Sequence, residues 1–493
     1  MTETTPIRFI MDGEVIELTD VDPTQTVLNW LRYTARRTGT KEGCAEGDCG
    51  ACTVAVGERQ GDSVVYRAIN ACIVFLPMLD GKELITVESL VKDGQLHPVQ
   101  RAMADCDGAQ CGFCTPGFVM SLFAHHQASD AALPDRIDDV IAGNLCRCTG
   151  YGPIRDASVK AAERAGNGTA FGTPETLQQL DAIARREMLS FEWLDTLAGV
   201  QKRYFAPRTI DELAQVASAH PDAVFLAGAT DIGLWVTKHH QVLETLISIN
   251  DVAELKAMDE VDGWLEIGAG VRYSDAWDRL GRDYPDFGEL VRRIGSVQVR
   301  NSGTIGGNIA NGSPIGDTPP ALIALDAELV LNRGGARRTV KLEDFFIDYG
   351  KQDRAPGEFV ETVRVPLARD GEVFRTYKIS KRFDQDISAV CGAFRLRCKG
   401  NKIVSARVAY GGMAATPKRA PACEAALTGQ RWSIETFDAA ADALTQDYAP
   451  ITDMRASDGY RMASASNLVR RLGLERQPGT AVTRLLDMEP LDA

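Results

Sequence analysis

The sequence predicts an α+β protein of several domains, and three observations lead to this expectation. The chain has 493 residues, whereas single hydrophobic cores rarely grow beyond about 250 to 300 residues. Apolar residues follow a mostly strand-like spacing in the first region and a helical spacing between residues 97 and 165. A stretch rich in Gly and Thr, 166–174, then separates these regions from a longer segment in which strands alternate with helices.

The first region contains the signals of a small mixed sheet with one helix. Residues 7–18 predict a two-stranded hairpin around Asp12 and Gly13, because Asp-Gly favours a tight turn between strands. A helix is expected over 25–33, and strands over 52–56 and 64–68.

The later segments are assigned in the same way. Apolar stripes at 118–123 and 140–145 predict two helices, and 157–165 a third. Residues 175–197 are expected to be helical, and short strands are expected at 224–227, 246–249, 265–267 and 328–331. The predicted domains are 1–88, 89–165, 199–372 and 373–493, with a linker at 166–198.

Composition and charge narrow the class of partner. Apolar residues make up 44% of the chain and charged residues 25%, and the formal net charge is -14. An acidic chain argues against nucleic acid or an anionic membrane as the main partner. Three adjacent arginine pairs are expected to be solvated surface: Arg36–Arg37, Arg292–Arg293 and Arg337–Arg338. Because no secretory signal or long apolar run is found, the expected location is the cytoplasm.

Twelve cysteines in such a chain point to metal or redox chemistry rather than to disulfides. Four of them, Cys44, Cys49, Cys52 and the distal Cys72, have the C-x4-C-x2-C spacing of a plant-type 2Fe-2S cluster. A zinc site is the alternative, but zinc ligands usually come as paired C-x2-C units.

A second group offers four more thiols, Cys111 and Cys114 with Cys146 and Cys148. Pro116 and Pro153 suit the first turns of helices that follow the two pairs. Cys106 is a rival ligand, because Cys106, Cys111 and Cys114 repeat the spacing of the first group. Choosing Cys106 would leave Cys146 and Cys148 as an unused pair.

Two glycine-bearing stretches are candidates for binding phosphate through backbone amides. They are FLAGATDIG at 225–233 and RNSGTIGGN at 300–308, the latter continuing to SPIGD at 313–317. Neither has the strand, three glycines and helix of a Rossmann fingerprint. On the residues alone, phosphate loops and ordinary tight turns are equally good interpretations.

Three motifs together carry a resemblance to a known family. They are KEGCAEGDCGAC at 41–52, QCGFCTPG at 110–117 and GNLCRCTGY at 143–151. These runs resemble the iron-sulfur region of the xanthine dehydrogenase family of molybdenum hydroxylases. One departure is Gly152, where many relatives have Arg; it lies outside the cysteine motifs.

The resemblance implies a fold and a set of cofactor contacts. The fold would comprise a plant-ferredoxin-like β-grasp domain, a small helical-bundle 2Fe-2S domain, a vanillyl-alcohol-oxidase-type FAD domain and an α+β C-terminal domain. The eight cysteines of the two groups would ligate two 2Fe-2S clusters. The implied FAD contacts are Phe225, Leu226, Ala227, Gly228, Ala229, Thr230, Asp231, Ile232, Ile294, Thr304, Ile305, Gly306, Gly307, Asn308, Asp317, Val360 and Lys378.

The resemblance also implies a function. The chain would be an electron-transfer subunit that receives electrons from a molybdopterin centre on a large partner subunit and passes them through both clusters to FAD and NAD. The partner would hydroxylate hypoxanthine and xanthine to urate, in a dimer of heterodimers. Because the sequence ends at Ala493, no molybdenum domain is expected within it. The loop at 377–387 resembles the family loop that controls access of NAD.

Other interpretations stay open at this point. The partner's substrate could instead be an aldehyde or an N-heterocycle. From another class, the chain could be a stand-alone iron-sulfur flavin reductase, or a redox sensor without turnover. No general acid or base is assigned in any of these interpretations.

Overall fold

The computed structural model describes residues 5–128, 137–163 and 171–476. Within them the chain forms four sheets of four or five strands, one two-stranded sheet, and helices that pack on them. The prediction of a multidomain α+β protein is confirmed. None of the helices in these residues is long and apolar enough to cross a membrane.

A five-stranded mixed sheet forms the first domain. Its strands are β1 (Ile7–Met11), β2 (Glu14–Leu18), β3 (Thr53–Gln60), β4 (Ser63–Asn70) and β5 (Glu83–Ile85). They lie in the order β2-β1-β5-β3-β4, with β1 parallel to β5. The predicted hairpin is confirmed, since β1 pairs with β2 around Asp12 and Gly13, both with positive φ.

The predicted helix at 25–33 is present in a modified form. A short α1 (Val27–Asn29) is capped by the hydroxyl of Thr26 and continues as a π-helical turn, Trp30–Thr34. Trp30 and Leu31 are buried there and pack against the sheet core. The wider turn is a tertiary effect that apolar spacing does not reveal.

Helices dominate the second region, as predicted. They are α2 (Pro98–Asp105), α3 (Thr115–Gln127), α4 (Ile137–Ile141) and α5 (Gly152–Glu163). Pro116 and Pro153 both lie in the first turn of their helices. Because the first N–H groups of a helix have no acceptor within the helix, proline, which has no N–H, costs no hydrogen bond there. The end of the helix expected at 157–165 lies outside the described residues.

The helix expected at 175–197 is only half right. Residues Pro174–Ile183 form α6, but Leu189–Asp195 form strand β6, which pairs antiparallel with β7 (Val200–Ala206). The burial of β6 begins by alternating, with Leu189 and Phe191 buried and Ser190 between them less so. This period of two is the strand signal that the sequence interpretation missed. The linker predicted at 166–198 thus contains regular structure from Pro174 onward.

Two larger sheets and a small hairpin follow. In one sheet, β7 and β8 (Val224–Leu226) flank β9 (Thr245–Ser248) in parallel. The other sheet is antiparallel, in the order β10 (Met258–Val261), β11 (Trp264–Gly268), β16 (Phe359–Pro366), β12 (Glu328–Arg333) and β13 (Ala336–Lys341). The hairpin pairs β14 (Phe346–Asp348) with β15 (Lys351–Gln352).

Eight helices lie in this part of the described chain. They are α7 (Ile210–Ala219), α8 (Ile232–Thr237), α9 (Tyr273–Asp283), α10 (Pro285–Arg292), α11 (Val297–Arg300), α12 (Ile305–Asn311), α13 (Thr318–Ala324) and α14 (Leu342–Phe345). The four strands predicted between 224 and 331 are all confirmed, with ends that differ by a residue or two.

The last domain is an antiparallel sheet covered by helices. Its strands are β17 (Glu372–Ile379), β18 (Val390–Lys399), β19 (Lys402–Gly411) and β20 (Lys418–Arg419), and its helices are α15 (Pro421–Leu427), α16 (Ile434–Asp447) and α17 (Asp458–Leu474). Their apolar faces form a core of their own.

The sheet of the first domain is buried on both faces. Residues 199–372, which are expected to bind FAD, are called the flavin region. Val54 and Val56 point into a core that also contains Leu226 and Leu246 from the four-stranded sheet of this region. Ala55, between them, faces a second core made with the helical domain. Because side chains alternate along a strand, β3 holds three parts of the molecule together.

One arginine pair departs from the expected solvated surface. Arg292 is only 9% exposed and forms ion pairs with Asp139 of α4 and Glu289 of α10. The pair Arg292–Asp139 therefore joins the flavin region to the helical domain. Its neighbour Arg293 donates hydrogen bonds to the carbonyl oxygens of Lys378 and Phe383.

A buried histidine makes the helical domain sensitive to acid. His97 is buried at the start of α2, where Nδ1 accepts a hydrogen bond from Val99 N (3.3 Å). Burial, with a smaller effect of His126, lowers the pKa of His97 to about 4. The unfolded chain therefore binds more protons than the folded one below the ordinary histidine pKa, so stability falls as the pH drops from about 6.5 towards 4.

Replacing His97→Asn should reduce this acid sensitivity, because Asn keeps an N-cap acceptor that does not titrate. We expect a smaller loss of melting temperature between about pH 7 and pH 5 than in the unsubstituted protein. Thermal unfolding followed by circular dichroism measures the difference. An equal loss in both proteins would show that His97 is not a source of the pH dependence.

Candidate cluster and flavin sites

The first cysteine group lies on a loop that wraps around the Cys44 sulfur. Sγ of Cys44 accepts hydrogen bonds from the backbone amides of Glu46 (3.5 Å), Asp48 (3.4 Å) and Cys49 (3.3 Å). Amides that point inward at sulfur stabilise thiolate and sulfide charge. The loop therefore has the form that an anionic iron-sulfur cluster requires.

Glycine is required at the end of this loop. Gly50 has φ of 69°, and a Cβ added there would overlap the carbonyl oxygen of Gly143. The loop thus lies directly against the segment that leads to Cys146. A side chain at Gly50 would separate the two cysteine groups.

The four thiols of the first group are neighbours in the fold. Contacts run from Cys49 to Cys44, from Cys44 to Cys72 and from Cys72 to Cys52. Hydrogen bonding from Cys49 and then Cys72 lowers the pKa of Cys44, while hydrogen bonding to Cys44 and burial raise the pKa of Cys49. The sequence-predicted set is thus brought together.

The second group is also assembled, from two loops at the starts of α3 and α5. Cys111 contacts Cys148, and Cys114 contacts Cys146. Burial raises the pKa of Cys114 to about 12. Burial opposes ionisation of Cys146 as well, but hydrogen bonds from the hydroxyl and amide of Thr149 outweigh it and lower the pKa.

Each group offers the four thiols that one 2Fe-2S cluster takes from a protein. The spacing of the first group favours such a cluster over zinc, whose ligands usually come as paired C-x2-C units.

The two groups differ in exposure. Cys52 and Cys72 are buried, whereas Cys111 and Cys148 are exposed. Phe113 and Leu145, which lie beside the exposed thiols in sequence, are themselves 47% and 45% exposed. The second group is therefore the more exposed of the two, and two partly exposed apolar side chains adjoin it in the sequence.

Cys106, the rival ligand, lies at the end of α2 and is half-buried. It packs on the same core as Cys114 and Cys146. The thiol contacts seen for the second group, however, join Cys111 to Cys148 and Cys114 to Cys146.

The first glycine stretch connects β8 to α8 as a tight turn. Ala229 has φ of 59°, and Asn250 Nδ2 donates to the carbonyl of Ala227 (2.8 Å). A Cβ at Gly228 would overlap the carbonyl of Ser302 in the second stretch. The two glycine stretches are therefore in direct contact.

The second stretch forms the start of α12. The Thr304 hydroxyl caps this helix by accepting from Gly307 N (2.9 Å), and Gly306 packs on Ala269. Asn311 of α12 hydrogen-bonds Asp231 of the first stretch, and burial raises the pKa of Asp231. These contacts join the stretches into one continuous backbone surface.

Asp317 and Lys378 form a buried ion pair beside this surface. Lys378 Nζ lies 2.6 Å from Asp317 Oδ2, and the side chains are 2% and 8% exposed. Ser388 Oγ donates to the other carboxylate oxygen (2.5 Å). Asn308 reaches the same place, because its Oδ1 accepts from Thr318, the residue after Asp317 (2.5 Å).

The remaining predicted residues border the same region. Phe225 packs near Phe359, whose ring centroid is 6.0 Å away, and Val360 follows it on β16. Ile294 follows Arg293, which donates to the carbonyl of Lys378 (3.2 Å). The fold thus gathers residues that are spread over more than 150 positions of the sequence around one surface.

Three residues of this region were missed by the sequence analysis: Asn250, Asn311 and Ser388. None belongs to a glycine stretch or to a charge pattern. Each acts through one hydrogen bond across the fold, to Ala227, Asp231 and Asp317 respectively. A single sequence carries no signal for such contacts.

The first cysteine loop contacts the flavin region directly. Thr237 Oγ1 and Lys238 Nζ, at the end of α8, donate to the carbonyls of Ala45 (2.8 Å) and Cys44 (3.0 Å). Because α8 begins where the first glycine stretch ends, one short helix connects the two sites.

Family models match nearly the whole described chain. They are a 2Fe-2S iron-sulfur cluster binding domain at residues 9–76, a [2Fe-2S] binding domain at 86–159, the FAD binding domain in molybdopterin dehydrogenase at 160–368, and the CO dehydrogenase flavoprotein C-terminal domain at 375–475. The chain thus has two 2Fe-2S domains and an FAD-binding domain.

Known proteins give the family. Xanthine dehydrogenase of Emericella nidulans is 32% identical, over 90% of this chain and 36% of that protein. Xanthine dehydrogenase 1 of Arabidopsis thaliana is 31% identical, over 86% and 36%. A solved chain of carbon monoxide dehydrogenase from Hydrogenophaga pseudoflava is 32% identical, with a TM-score of 0.52 over 54% of this chain and 94% of that one. The chain belongs to the molybdenum hydroxylase family.

The resemblance found in the three motifs is therefore confirmed at the level of the family. The chain spans about a third of the length of the curated relatives it matches, at 36% of each of the first two. The matched FAD domain is described as that of molybdopterin dehydrogenase, and the solved relative is described as a carbon monoxide dehydrogenase that lacks the Mo-pyranopterin moiety of its molybdenum cofactor.

A serine at position 106 distinguishes the two assignments of the second cluster. If Cys111, Cys114, Cys146 and Cys148 are the ligands, Cys106→Ser should retain about four irons per chain, two for each 2Fe-2S cluster. Iron analysis and EPR of the dithionite-reduced protein measure this. Loss of one cluster signal would make Cys106 a ligand instead.

A methyl group at Gly228 should weaken FAD binding, because it would push the two glycine stretches apart. We expect Gly228→Ala to lower the flavin content of the purified protein and to raise the FAD dissociation constant by about tenfold or more. Gly459→Ala is the control, since a Cβ at Gly459 meets no atom within 4 Å. Equal flavin affinity in both variants would remove the 225–232 stretch from the FAD site.

Proposed function

We propose that this chain is the iron-sulfur and FAD subunit of a xanthine dehydrogenase. In this role it carries electrons from a molybdenum centre on a partner subunit, through two 2Fe-2S clusters, to FAD and then to NAD. The partner would hydroxylate hypoxanthine and xanthine to urate. Flavin exchanges two electrons as hydride and the clusters exchange one at a time, so their combination supplies the conversion between the two regimes.

The order of the sites in the fold is the observation that supports this proposal. The exposed second cysteine group lies at the surface, the first group lies behind it, and α8 links the first group to the glycine stretches. Electrons from an external donor would thus enter at Cys111 and Cys148 and proceed inward. A stand-alone reductase has no need for an exposed second group with apolar neighbours.

Each predicted residue takes a role within this proposal. The eight cysteines hold the two clusters, and the backbone of 225–232 and 304–308 holds the diphosphate of FAD. Asp317 orients the cofactor, held in place by Lys378 and Ser388. Ile294 and Val360 supply apolar contacts from the border of the surface.

NAD would approach the flavin beside the loop at 377–387. The loop is fixed from two sides: Arg293 donates to the carbonyl of Phe383 and lies over its ring at 4.3 Å, and Gln385 donates to the carbonyl of Ala142. Its charged residues, Lys381 and Arg382 among them, would attract the phosphates of a dinucleotide.

The molybdenum-binding large subunit would dock on the surface around the second cysteine group. Exposed Phe113 and Leu145 are suited to the apolar centre of an interface. We place the assembly in the cytoplasm as a dimer of such heterodimers. All twelve cysteines are free, which agrees with a reducing compartment.

A second candidate changes only the substrate of the partner. The 32% identity to a carbon monoxide dehydrogenase chain equals that to a xanthine dehydrogenase. The same electron-transfer role could therefore serve a hydroxylase of aldehydes or N-heterocycles. The residues described here bind electron carriers rather than the substrate, so they do not separate these cases.

Purification of the native complex tests the proposed function. A tagged chain should bring down a molybdenum-containing partner, with iron, FAD and molybdenum all present. The complex should reduce NAD with xanthine, whereas an aldehyde or heterocycle hydroxylase would respond only to its own substrate. A flavoprotein that stays alone without molybdenum, and reduces external acceptors with NADH, would identify a stand-alone reductase.

Truncation of the exposed apolar residues should weaken partner binding. We expect Phe113→Ser with Leu145→Ser to reduce affinity for the large subunit by about tenfold or more, as for central interface residues. Iron content should stay unchanged, which shows that the cluster survives. Leu197→Ser is the control, since Leu197 is fully exposed elsewhere on the chain. Unchanged affinity in the double variant would place the interface at another surface.

A further inference from the structure

Four buried polar side chains meet where three parts of the molecule join. They are Thr53 of β3, Ser121 of α3, Asn144 of the helical domain and Gln298 of α11, and none is more than 3% exposed. Thr53 directly follows Cys52, and Asn144 lies two residues before Cys146. We name these four residues the junction cluster.

Gln298 is the centre of the junction cluster. Its Nε2 lies 3.1 Å from Thr53 Oγ1, 3.0 Å from Ser121 Oγ and 3.1 Å from Asn144 Oδ1. One amide from the flavin region therefore contacts a residue beside the first cysteine group and two residues beside the second.

The network fixes the orientation of each amide. Asn144 Nδ2 donates to the backbone carbonyl of Gly50 (3.0 Å), so Asn144 Oδ1 faces the junction as an acceptor. Ser121 donates to that oxygen (2.6 Å), and Thr53 donates to the Gly50 carbonyl (2.7 Å). Gln298 must therefore present its NH₂ group as the donor.

The junction cluster lies beside a backbone hydrogen bond between the two cysteine loops. Leu145 N donates to the carbonyl of Cys49 (3.0 Å), and Leu145 precedes Cys146. Cys49 of the first group is thus connected to Cys146 of the second group through this hydrogen bond and the Leu145–Cys146 peptide bond. Asn144 precedes Leu145 and Gly50 follows Cys49, so the junction cluster holds both sides of this bond.

The junction is packed so closely that two neighbouring glycines have no room for a side chain. A Cβ at Gly143 would overlap Gln298 Oε1, and a Cβ at Gly117 would overlap the carbonyl of Gly50. Gln298 Oε1 has no hydrogen-bond partner within the described residues. A buried unpaired carbonyl destabilises the fold, so Gln298 contributes geometry more than stability.

We propose that Gln298 is a positioning residue for electron transfer between the two clusters. It clamps the segment after Cys52 to the segment before Cys146 and so keeps the Cys49–Leu145 hydrogen bond short. Gln298 belongs to the flavin region, which does not lie between the two clusters. The flavin region thereby sets the distance between them. This proposal rests on the proposed cluster ligands and on the electron-transfer function.

The step that Gln298 positions is a transfer of one electron. One cluster is oxidised by one electron and the other is reduced by one, with no bond made or broken and no proton moved. Because such transfer falls off exponentially with distance, a small displacement of the loops has a large effect on its rate.

Substitution of Gln298→Met tests the proposal in the complete chain with clusters and flavin bound. Met has a similar shape but no donor, while Thr53, Ser121 and Asn144 keep their bonds to one another and to Gly50. Gln298→Asn is the second variant, since it keeps the amide but is too short to reach. Asn332→Leu is the matched control: Asn332 is also a buried amide of the flavin region, but it bonds Glu361 of β16 (2.6 Å), away from both cysteine loops.

The main measurement is the magnetic coupling between the two clusters, seen as splitting and enhanced relaxation in low-temperature EPR after full reduction with dithionite. We expect weaker coupling in both Gln298 variants, and cluster-to-cluster electron transfer slowed by about tenfold or more. Asn332→Leu should leave both unchanged. Iron, sulfide and flavin contents should equal those of the unsubstituted chain.

Three results would overturn the proposal. The first is unchanged coupling in variants that retain both clusters. The second is loss of clusters in both variants, and the third is an equal loss of coupling in Asn332→Leu, because either of these would mean that Gln298 supports only the fold. Dithionite reduction needs neither NAD nor a molybdenum partner, so failure here is distinct from failure of the xanthine and NAD assay.

Discussion

The close approach of two backbone segments, at Gly50 and at 143–145, is the constraint on which the rest of this structure depends. A side chain at Gly50 or at Gly117 would hold the segments apart. With hydrogen in those places, Asn144 reaches the carbonyl of Gly50 and Leu145 reaches that of Cys49. The two cysteine groups are thereby fixed relative to each other before any cofactor is considered.

The flavin site uses the same kind of contact together with a buried charge. Gly228 lies on the backbone of Ser302, so that two loops meet without side chains between them. Beside them, Lys378 pairs with Asp317 in surroundings that exclude water. Removing one partner of such a pair costs about 3 to 5 kcal/mol, because the other charge is left uncompensated. This ion pair holds the Asp317 carboxylate in one position.

Connections between domains explain how these sites stay in order. The core of the first sheet includes strands of the flavin region, and its other face belongs to the helical domain. The ion pair of Arg292 with Asp139 and the junction at Gln298 add directional contacts to this apolar burial. Apolar contact supplies most of the stability, whereas hydrogen bonds between fixed atoms supply the register.

The sequence by itself determined the elements and groups that depend on local chemistry. Cysteine spacing predicted the first thiol group, and spacing together with helix starts and the family motifs predicted the second. Asp12-Gly13 predicted a hairpin, proline positions predicted the starts of α3 and α5, and the period of two at Leu189–Asp195 was a strand signal in the sequence. Tertiary structure alone decided that Arg292 is buried and that Gln298, Asn311 and Ser388 complete the sites. Spacing along a chain records backbone periodicity and turn chemistry, but a hydrogen bond between residues far apart in sequence exists only once the fold has brought them together.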